Sequence, residues 1–331
     1  TPPNKDIRWE KTTTVNVGVD FALFRHRLSG TIEYYNKYSV DLLAAINGSP
    51  TQGFGYTTLM TNNGKMVNRG VEITLSGEII RQKDFSWNAS LLYAFNRNKV
   101  KHISVQPSLW DSRISMPTSY PMVGKPLYGI YAYKWAGLNE NGDPQVYDAE
   151  NNVTSGPARD YHALVYCGTT VPIHNASLTN VLRYKGFEFS AMLILDAVHK
   201  LRSSNIPSIN MSNGRITSTA KGIVDRWTQP GDVTDVPRLL FSNDTENFNT
   251  HRTELYRYSD LFVYDASNIR LSNISLAYRV PAHWCKKISL SGARLQFNVE
   301  NVATFAFDSK ANYDLGGKVK PNYVWGLYLN F

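Results

Sequence analysis

The stretch that decides the fold closes the sequence: Pro321-Asn322-Tyr323-Val324-Trp325-Gly326-Leu327-Tyr328-Leu329-Asn330-Phe331. At every second position it carries a large apolar side chain, and the residues between are smaller and more mixed. This period of two predicts a β-strand. Its length of about ten residues suits a tilted strand that crosses a membrane. Aromatic residues flank an aliphatic centre, which is the order used in outer-membrane strands. A soluble sandwich could end on a similar strand, so this stretch alone leaves both folds open.

Composition excludes a helical membrane protein. The 331 residues are 42% hydrophobic with a mean hydropathy of −0.33. No apolar run approaches the ~20 residues that a transmembrane helix needs. Aromatic residues make up 12% of the chain, with 20 Tyr, 14 Phe and 7 Trp. That share is ordinary for a β-barrel with aromatic belts at its two interfaces.

Charge and cysteine content argue against several function classes. The net charge is +8, but the basic residues are scattered and no run exceeds two, so no nucleic-acid partner is expected. Cys167 and Cys285 form no disulfide framework, and we expect them to be unpaired. The chain contains no CxxC, HExxH, GxSxG or phosphate-binding glycine loop. We therefore predict neither an enzyme nor a cofactor or metal site.

Eight further stretches show the same alternation, and their connections are alternately short and long. A soluble sandwich carries loops of similar size at its two ends, whereas an outer-membrane barrel has tight periplasmic turns and long extracellular loops. The pattern predicts an all-β fold, an antiparallel transmembrane β-barrel. The nine predicted strands span residues 12–24, 28–38, 70–80, 85–96, 173–183, 187–198, 268–280, 288–302 and 321–331.

Nine strands do not make a complete barrel. Single-chain bacterial barrels have even strand counts, and lipid does not tolerate an open sheet edge. We expect residues 1–331 to be one portion of a larger barrel, paired with another segment at both edges. Residues 1–11 would then lie on the extracellular side.

Several stretches resemble the C-terminal part of the SusC/RagA family of TonB-dependent outer-membrane transporters. The resemblance covers nearly the whole chain, in order. Each matching piece is weak by itself, but together the pieces are specific. They are Trp9-Glu10 followed by Val17-Gly18-Val19-Asp20-Phe21, Gly30-Thr31-Ile32-Glu33-Tyr34-Tyr35-Asn36-Lys37, Asn63-Gly64-Lys65-Met66-Val67-Asn68-Arg69-Gly70-Val71-Glu72, Asn96-Arg97-Asn98-Lys99-Val100, Tyr184-Lys185-Gly186-Phe187-Glu188-Phe189-Ser190, Asp225-Arg226-Trp227-Thr228 and Asp265-Ala266-Ser267-Asn268-Ile269-Arg270-Leu271.

This resemblance implies a 22-stranded barrel in the outer membrane of a Gram-negative bacterium, of which these residues supply the last nine strands. It also implies an N-terminal plug and a TonB-contacting segment, both outside this chain, and a SusD-like surface lipoprotein as a lid. The implied function is import of oligosaccharides or peptides, with no covalent chemistry. The alternatives are a secreted glycan-binding β-sandwich and an outer-membrane barrel enzyme of the protease or lipase type.

Substrate-binding candidates come from the long loops. Aromatic planes beside charged groups suit sugar rings or peptides, although such residues can equally pin their own loop. The candidates are Trp110, Asp111, Arg113 and Tyr120 in the longest loop, and Asn210, Asn213 and Arg215 in the loop over residues 199–267.

The sequence offers little support for a metal site. Residues 139–143, Asn-Glu-Asn-Gly-Asp, could suggest a calcium loop. The distal glutamate of that motif is absent, and Asn-Gly favours a hairpin turn. His162, His174 and His199 lack metal-like spacing. Asp225 and Arg226 are interpreted as structural, because Trp227 beside them is expected to anchor a short helical turn near Lys221.

Overall fold

The structure is a computed structural model that describes residues 4–47, 58–105, 112–155, 161–207, 209–212, 215–239, 252–315 and 320–331. Within these ranges, no helix is long and apolar enough to span a membrane. The α-helices are short: α1 (Ser112–Ser115), α2 (Arg252–Arg257), α3 (Ala282–Lys286) and α4 (Asn312–Leu315). Turns of 3-10 helix occupy Tyr161–Ala163, Lys221–Asp225, Asp260–Phe262 and Ser309–Ala311.

Strands dominate the architecture. They are β1 (Lys11–Leu23), β2 (Leu28–Asn47), β3 (Thr58–Arg81), β4 (Phe85–His102), β5 (Gly129–Tyr133), β6 (Trp135–Leu138), β7 (Pro144–Tyr147), β8 (Val153–Thr154), β9 (Leu164–Thr169), β10 (His174–Tyr184), β11 (Phe187–Ala197), β12 (Lys200–Arg202), β13 (Ile209–Ser212), β14 (Arg215–Thr219), β15 (Val263–Asp265), β16 (Asn268–Arg279), β17 (Gly292–Ala306) and β18 (Asn322–Asn330).

Nine of these strands form one antiparallel sheet in the order β1-β2-β3-β4-β10-β11-β16-β17-β18. Each predicted strand corresponds to one of them, so the nine-stranded antiparallel prediction is confirmed. β1 and β18 are the edges, and within the described residues each pairs with a single neighbour. The other strands pair in small sheets inside the long connections.

The register places the large apolar residues of all nine strands on one face, as predicted. Residues that are directly opposite in neighbouring strands share a face. Two rows of such residues cross the sheet. The leucine row joins Leu75, Leu91, Leu178, Leu193 and Leu271. The aromatic row, at the end with the short connections, joins Phe85, Tyr184, Phe187 and Tyr278.

Two predicted strand boundaries were wrong at the long-loop end. The segment over residues 39–67 was expected to be a loop, but β2 continues to Asn47 and β3 already begins at Thr58. The pairing shifts between Ser39 and Leu42, and Asp41 there has a φ of 57°. This irregularity interrupts the alternation in the sequence, so the outer half of the hairpin was missed.

Two further predictions need correction. The sequence over residues 127–138, followed by the turn at 139–142, predicts one long strand paired with residues 144–147, but only β6 pairs with β7, and β5 pairs with β9. The predicted strand over residues 288–302 begins later, at Gly292, and reaches Ala306. The preceding residues instead continue from α3, where Cys285 and Leu290 are buried and the backbone turns on itself.

The long connections build a compact unit, which we call the loop module: residues 112–155, 161–169, 200–203 and 252–265. Its core comprises Tyr131, Tyr133, Val146, Ala163, Leu164 and Leu255. Both cysteines are free, as predicted. The module rests on the long-loop end of the sheet, where Leu127 donates its N–H to the Asn98 side chain over 2.8 Å.

Glycine is required at one crossing of the sheet. A Cβ at Gly70 would meet the Tyr35 ring and come within 2.5 Å of the Phe95 carbonyl oxygen. At Gly77, on the same strand, the nearest atom to a Cβ would be 3.8 Å away. Gly70→Ala should therefore lower the free energy of unfolding by about 1–3 kcal/mol, since the sheet must shift to accept the methyl group.

Gly77→Ala is the matched control, and it should stay within about 1 kcal/mol of the parent. Urea titrations of the folded protein, followed by tryptophan fluorescence, measure both variants. Equal losses in the two variants would contradict the tight crossing of Tyr35 over Gly70.

Candidate functional site

The polar face of the sheet contains a depression of about 260 Å³ between β3, β4, β10 and β11. Its lining comes from alternate positions of neighbouring strands and includes Glu72, Thr74, Asn175, Ser177 and Asp196. These residues lie on the face opposite the leucine row, because they alternate with it along each strand. Leu92 and Ile194 lie among them, so the depression has a mixed polar and apolar lining.

Two carboxylates on the polar face, Glu188 and Asp196, are held by salt bridges. Arg183 donates to Glu188 over 2.7 Å, and Arg294 donates to the other carboxylate oxygen of Glu188 over 3.1 Å. Nearer the long-loop end, Asp196 accepts from Asn175 at 2.6 Å and from Arg270 at 2.9 Å. Asp196 thus joins β11 to both of its neighbours, and Glu188 joins β11 to β10 and, across β16, to β17.

Asp143 is the charged centre of the loop module. It follows the turn between β6 and β7, and its two carboxylate oxygens accept from both Arg238 and Arg252, at 2.5–3.2 Å. Arg252 also donates to the carbonyls of Gly142 and Arg238. Burial lowers the pKa of Arg252, and the Asp143 carboxylate opposes that shift. The network fixes the turn against α2.

Aromatic packing holds the same turn from another side. Gly142 has a φ of 73°, and a Cβ there would collide with the Trp227 ring. Trp227 follows the 3-10 turn Lys221–Asp225, so the expected anchor beside a short helical turn is confirmed. The Trp135 indole N–H reaches the Asp235 carboxylate at 2.9 Å, and its backbone N–H reaches Asp260 at 2.9 Å.

A partly buried arginine joins β12 to the module core. The Arg202 guanidinium donates to the carbonyls of Tyr131, Arg257 and Ser259, at 2.7–3.3 Å. Burial lowers the pKa of Arg202, yet an arginine remains protonated. Nearby, burial raises the pKa of Cys167 to about 11. The thiol is therefore protonated at neutral pH and is a poor nucleophile.

The substrate-binding candidates are dispersed by the structure. Arg113 is 8% exposed in α1, where it donates to the Tyr120 carbonyl over 3.3 Å. Its guanidinium lies 5.9 Å from the centre of the Tyr131 ring and 5.0 Å from that of Tyr161. These contacts attach α1 to the module core. Tyr120 is half-buried beside it.

The remaining candidates cannot be placed by their side chains. Trp110, Asp111 and Asn213 lie outside the described residues. Asn210 lies in β13 and Arg215 in β14, which pair as a two-stranded hairpin. The backbone therefore brings these two positions to one hairpin, separate in sequence from the loop that carries Tyr120.

The suspected calcium loop is a hairpin turn. The Asn139 side-chain oxygen accepts from the N–H groups of Asn141 and Asp143, at 3.0 and 2.9 Å. The Asp143 carboxylate is already occupied by two arginines. Across the described ranges, no group of three or more His, Cys, Asp and Glu side chains is arranged to hold a metal ion.

Sequence reasoning missed the residues that organise the site. Asp143 lies 95 and 109 positions before its arginine partners, and no local pattern connects them. Asp196 was visible only as the residue that ends an apolar run. Its place on the polar face was recoverable by counting alternate positions from Glu188.

Comparison with known proteins identifies the family to which the chain belongs. The model described as TonB dependent receptor-like, beta-barrel, matches residues 1–302. TonB-dependent receptor P3 of Formosa agariphila is 26% identical over 346 residues, which cover 98% of this chain and 33% of that protein. TonB-dependent receptor SusC of Bacteroides thetaiotaomicron is 25% identical over 312 residues, covering 90% and 29%. The chain thus spans about a third of the length of these curated relatives.

Solved structures share the fold. The RagAB peptide transporter aligns with a TM-score of 0.77 at 22% identity, covering 100% of this chain and 36% of that chain. The RagAB peptide importer in its open-open state gives a TM-score of 0.75, again at 22% identity, with the same coverage. The antiparallel sheet, its alternating connections and the family match over residues 1–302 lead to one conclusion: the chain belongs to the TonB-dependent receptor-like β-barrel family.

Proposed function

We propose that this chain forms part of the wall and loops of a TonB-dependent importer in the outer membrane, which takes up oligosaccharides or peptides. The observation that carries the proposal is the family match over residues 1–302. The relatives are named as receptors, which supports binding and transport rather than catalysis. The chain would make and break no covalent bond.

The two rows of the apolar face support a place in lipid. Leu178 and Tyr184 lie six positions apart on β10, which is about 20 Å along a strand. At the usual tilt of about 40°, this corresponds to about 15 Å across the membrane. Since the apolar band of such a barrel is about 25 Å tall, the leucine row would lie near the middle of the bilayer and the aromatic row at its boundary.

The two sheet edges support a larger assembly. β1 and β18 would present unpaired backbone groups to hydrocarbon, where each such group costs several kcal/mol. We infer that further strands pair with both edges and close the barrel. These strands, and a plug that engages TonB, would come from another segment, in keeping with the fraction of the relatives that this chain covers.

The polar face and the loop module would line the substrate path. The depression at Glu72, Asn175 and Asp196 offers hydrogen-bonding groups beside the apolar side chains of Leu92 and Ile194. The loop module would supply the upper cavity and a docking surface for a SusD-like lipoprotein lid. Substrate-contact candidates in this proposal remain Trp110, Asp111, Arg113, Tyr120, Asn210, Asn213 and Arg215.

Uptake by cells that carry or lack the full-length protein tests the function. Loss of the protein should abolish energy-dependent accumulation of one class of labelled oligosaccharide or peptide. A protonophore should abolish it as well, because the energy would arrive through TonB. Unchanged accumulation of every oligosaccharide and peptide after loss of the protein would contradict the importer assignment.

Arginine substitutions test which face meets lipid. Substitution of Leu75, Leu91 or Leu193 by Arg should lower the free energy of unfolding by roughly 2–4 kcal/mol, because these side chains would lie near the bilayer midplane. Substitution of Thr74, Ser90 or Ser190 by Arg should lower the free energy of unfolding much less, because those side chains would face a polar interior. Refolding titrations of the full-length protein into lipid vesicles measure both sets. Equal losses of stability in the two sets would rule out that the leucine row faces lipid and the polar face the interior.

Isolation of residues 1–331 tests the need for further strands. The chain alone should fail to form a stable monomeric barrel in detergent, because both edges would be unpaired. Heat-modifiable migration and strand content by circular dichroism report the result, with the full-length protein as the control. A stable monomeric barrel formed by these residues alone would refute the larger assembly.

A further inference from the structure

The short connections carry a concentration of positive charge. They comprise residues 24–27, 82–84, 185–186 and 280–291. Six lysine and arginine residues lie in them against one carboxylate, Asp84, which gives a net charge of +5 out of +8 for the whole chain. The six are Arg25, Arg27, Lys83, Lys185, Lys286 and Lys287. A small fraction of the chain, all at one end of the sheet, thus holds most of the excess charge.

These cations lie directly beyond the aromatic row. Lys83 is two positions from Phe85, and Lys185 lies between Tyr184 and Phe187. The Lys185 ammonium lies 5.3 Å from the centre of the Tyr184 ring. Aromatic belts mark the level of the lipid headgroups in membrane proteins. The charges therefore extend from that level into the headgroup region.

The longest of these connections is a fixed platform. After α3, the N–H groups of Ile288 and Leu290 both donate to the Cys285 carbonyl, at 3.0 Å each. Cys285 is only 1% exposed and Leu290 is buried, so the turn packs against the end of the sheet. Ser291 donates its N–H to the Asn330 carbonyl over 2.8 Å, which ties the turn to β18.

The outer surface of this platform combines apolar and cationic side chains. Trp284 is 55% exposed and Ile288 is 69% exposed. Lys286 and Lys287 lie between them and are also exposed. A tryptophan inserts its ring at the membrane boundary, while lysines near the surface attract anionic headgroups.

We propose that the short-turn end of this chain binds anionic glycerophospholipid headgroups in the adjacent leaflet, with the α3 platform at Trp284, Lys286, Lys287 and Ile288 as the main site. The inference rests on the proposed membrane position of the barrel. Charge complementarity selects an anionic lipid over a zwitterionic one. Leu276 and Leu295 are exposed on the apolar face of the sheet, against which the acyl chains of the bound lipid would lie.

The test uses the full-length protein in nanodiscs of phosphatidylcholine with a minor fraction of phosphatidylglycerol. Native mass spectrometry measures the ratio of the two lipids that remain bound. The Lys286→Gln/Lys287→Gln variant should lower the phosphatidylglycerol preference by about fivefold per lysine, the factor equivalent to about 1 kcal/mol. High salt should weaken the preference of the parent protein.

The matched control is Lys5→Gln/Lys101→Gln, which removes two exposed lysines at the opposite end of the sheet. It should leave the preference unchanged. No preference in the parent, or equal loss in both variants, would overturn the inference. A parallel series with lipid A in place of phosphatidylglycerol separates the two phosphate sources, and a platform that selects lipid A alone would also overturn it.

Insertion is measured separately, by heat-modifiable migration and strand content in the same nanodiscs. A folded barrel with no phosphatidylglycerol preference would overturn only the lipid site. Failure of every variant to insert would overturn the proposed membrane function, and the lipid site with it.

Discussion

Strand register is the constraint on which the rest of this structure depends. A slip of one residue between two strands would exchange the faces of every residue beyond it. The nine strands keep their faces matched, and one irregularity in β16 shows how. Ile274, Leu276 and Tyr278 alternate on the apolar face, a pattern that would bring Ser272 and Arg270 onto it. A bulge between Leu271 and Asn273 instead places Leu271 opposite Leu193. Arg270 then reaches Asp196 on the polar face at 2.9 Å.

The local period explains what the sequence could predict. Alternation is a property of neighbouring residues. The existence of all nine strands, and the residues on each face of β1, β4 and β18, could therefore be predicted from the sequence. Bulges and breaks were not, because they interrupt the period that identifies a strand. The outer part of the β2–β3 hairpin was missed for this reason at Asp41, and Lys134 separates β5 from β6 in a stretch that looked continuous.

The loop module could not be predicted because its contacts join distant positions. Asp143 needs Arg238 and Arg252, and Arg202 needs carbonyls from β5 and from the end of α2. Removal of one partner would leave a partly buried charge with less compensation, which lowers the stability of the module. Arg113 shows the same dependence on distant positions, because its guanidinium lies over the rings of Tyr131 and Tyr161.

Paired charges give the polar face a property that suits transport. Glu188 is shared by Arg183 and Arg294, and Asp196 is shared by Asn175 and Arg270. A wall of unpaired like charges would hold an oppositely charged solute, whereas a pathway must bind weakly enough to release what enters it. Asp196 bonds to both neighbouring strands, and Glu188 bonds to β10 and, across β16, to β17, so the same contacts also stiffen the sheet across its width. Charge compensation at these two carboxylates and a stiffer sheet therefore follow from one set of side chains.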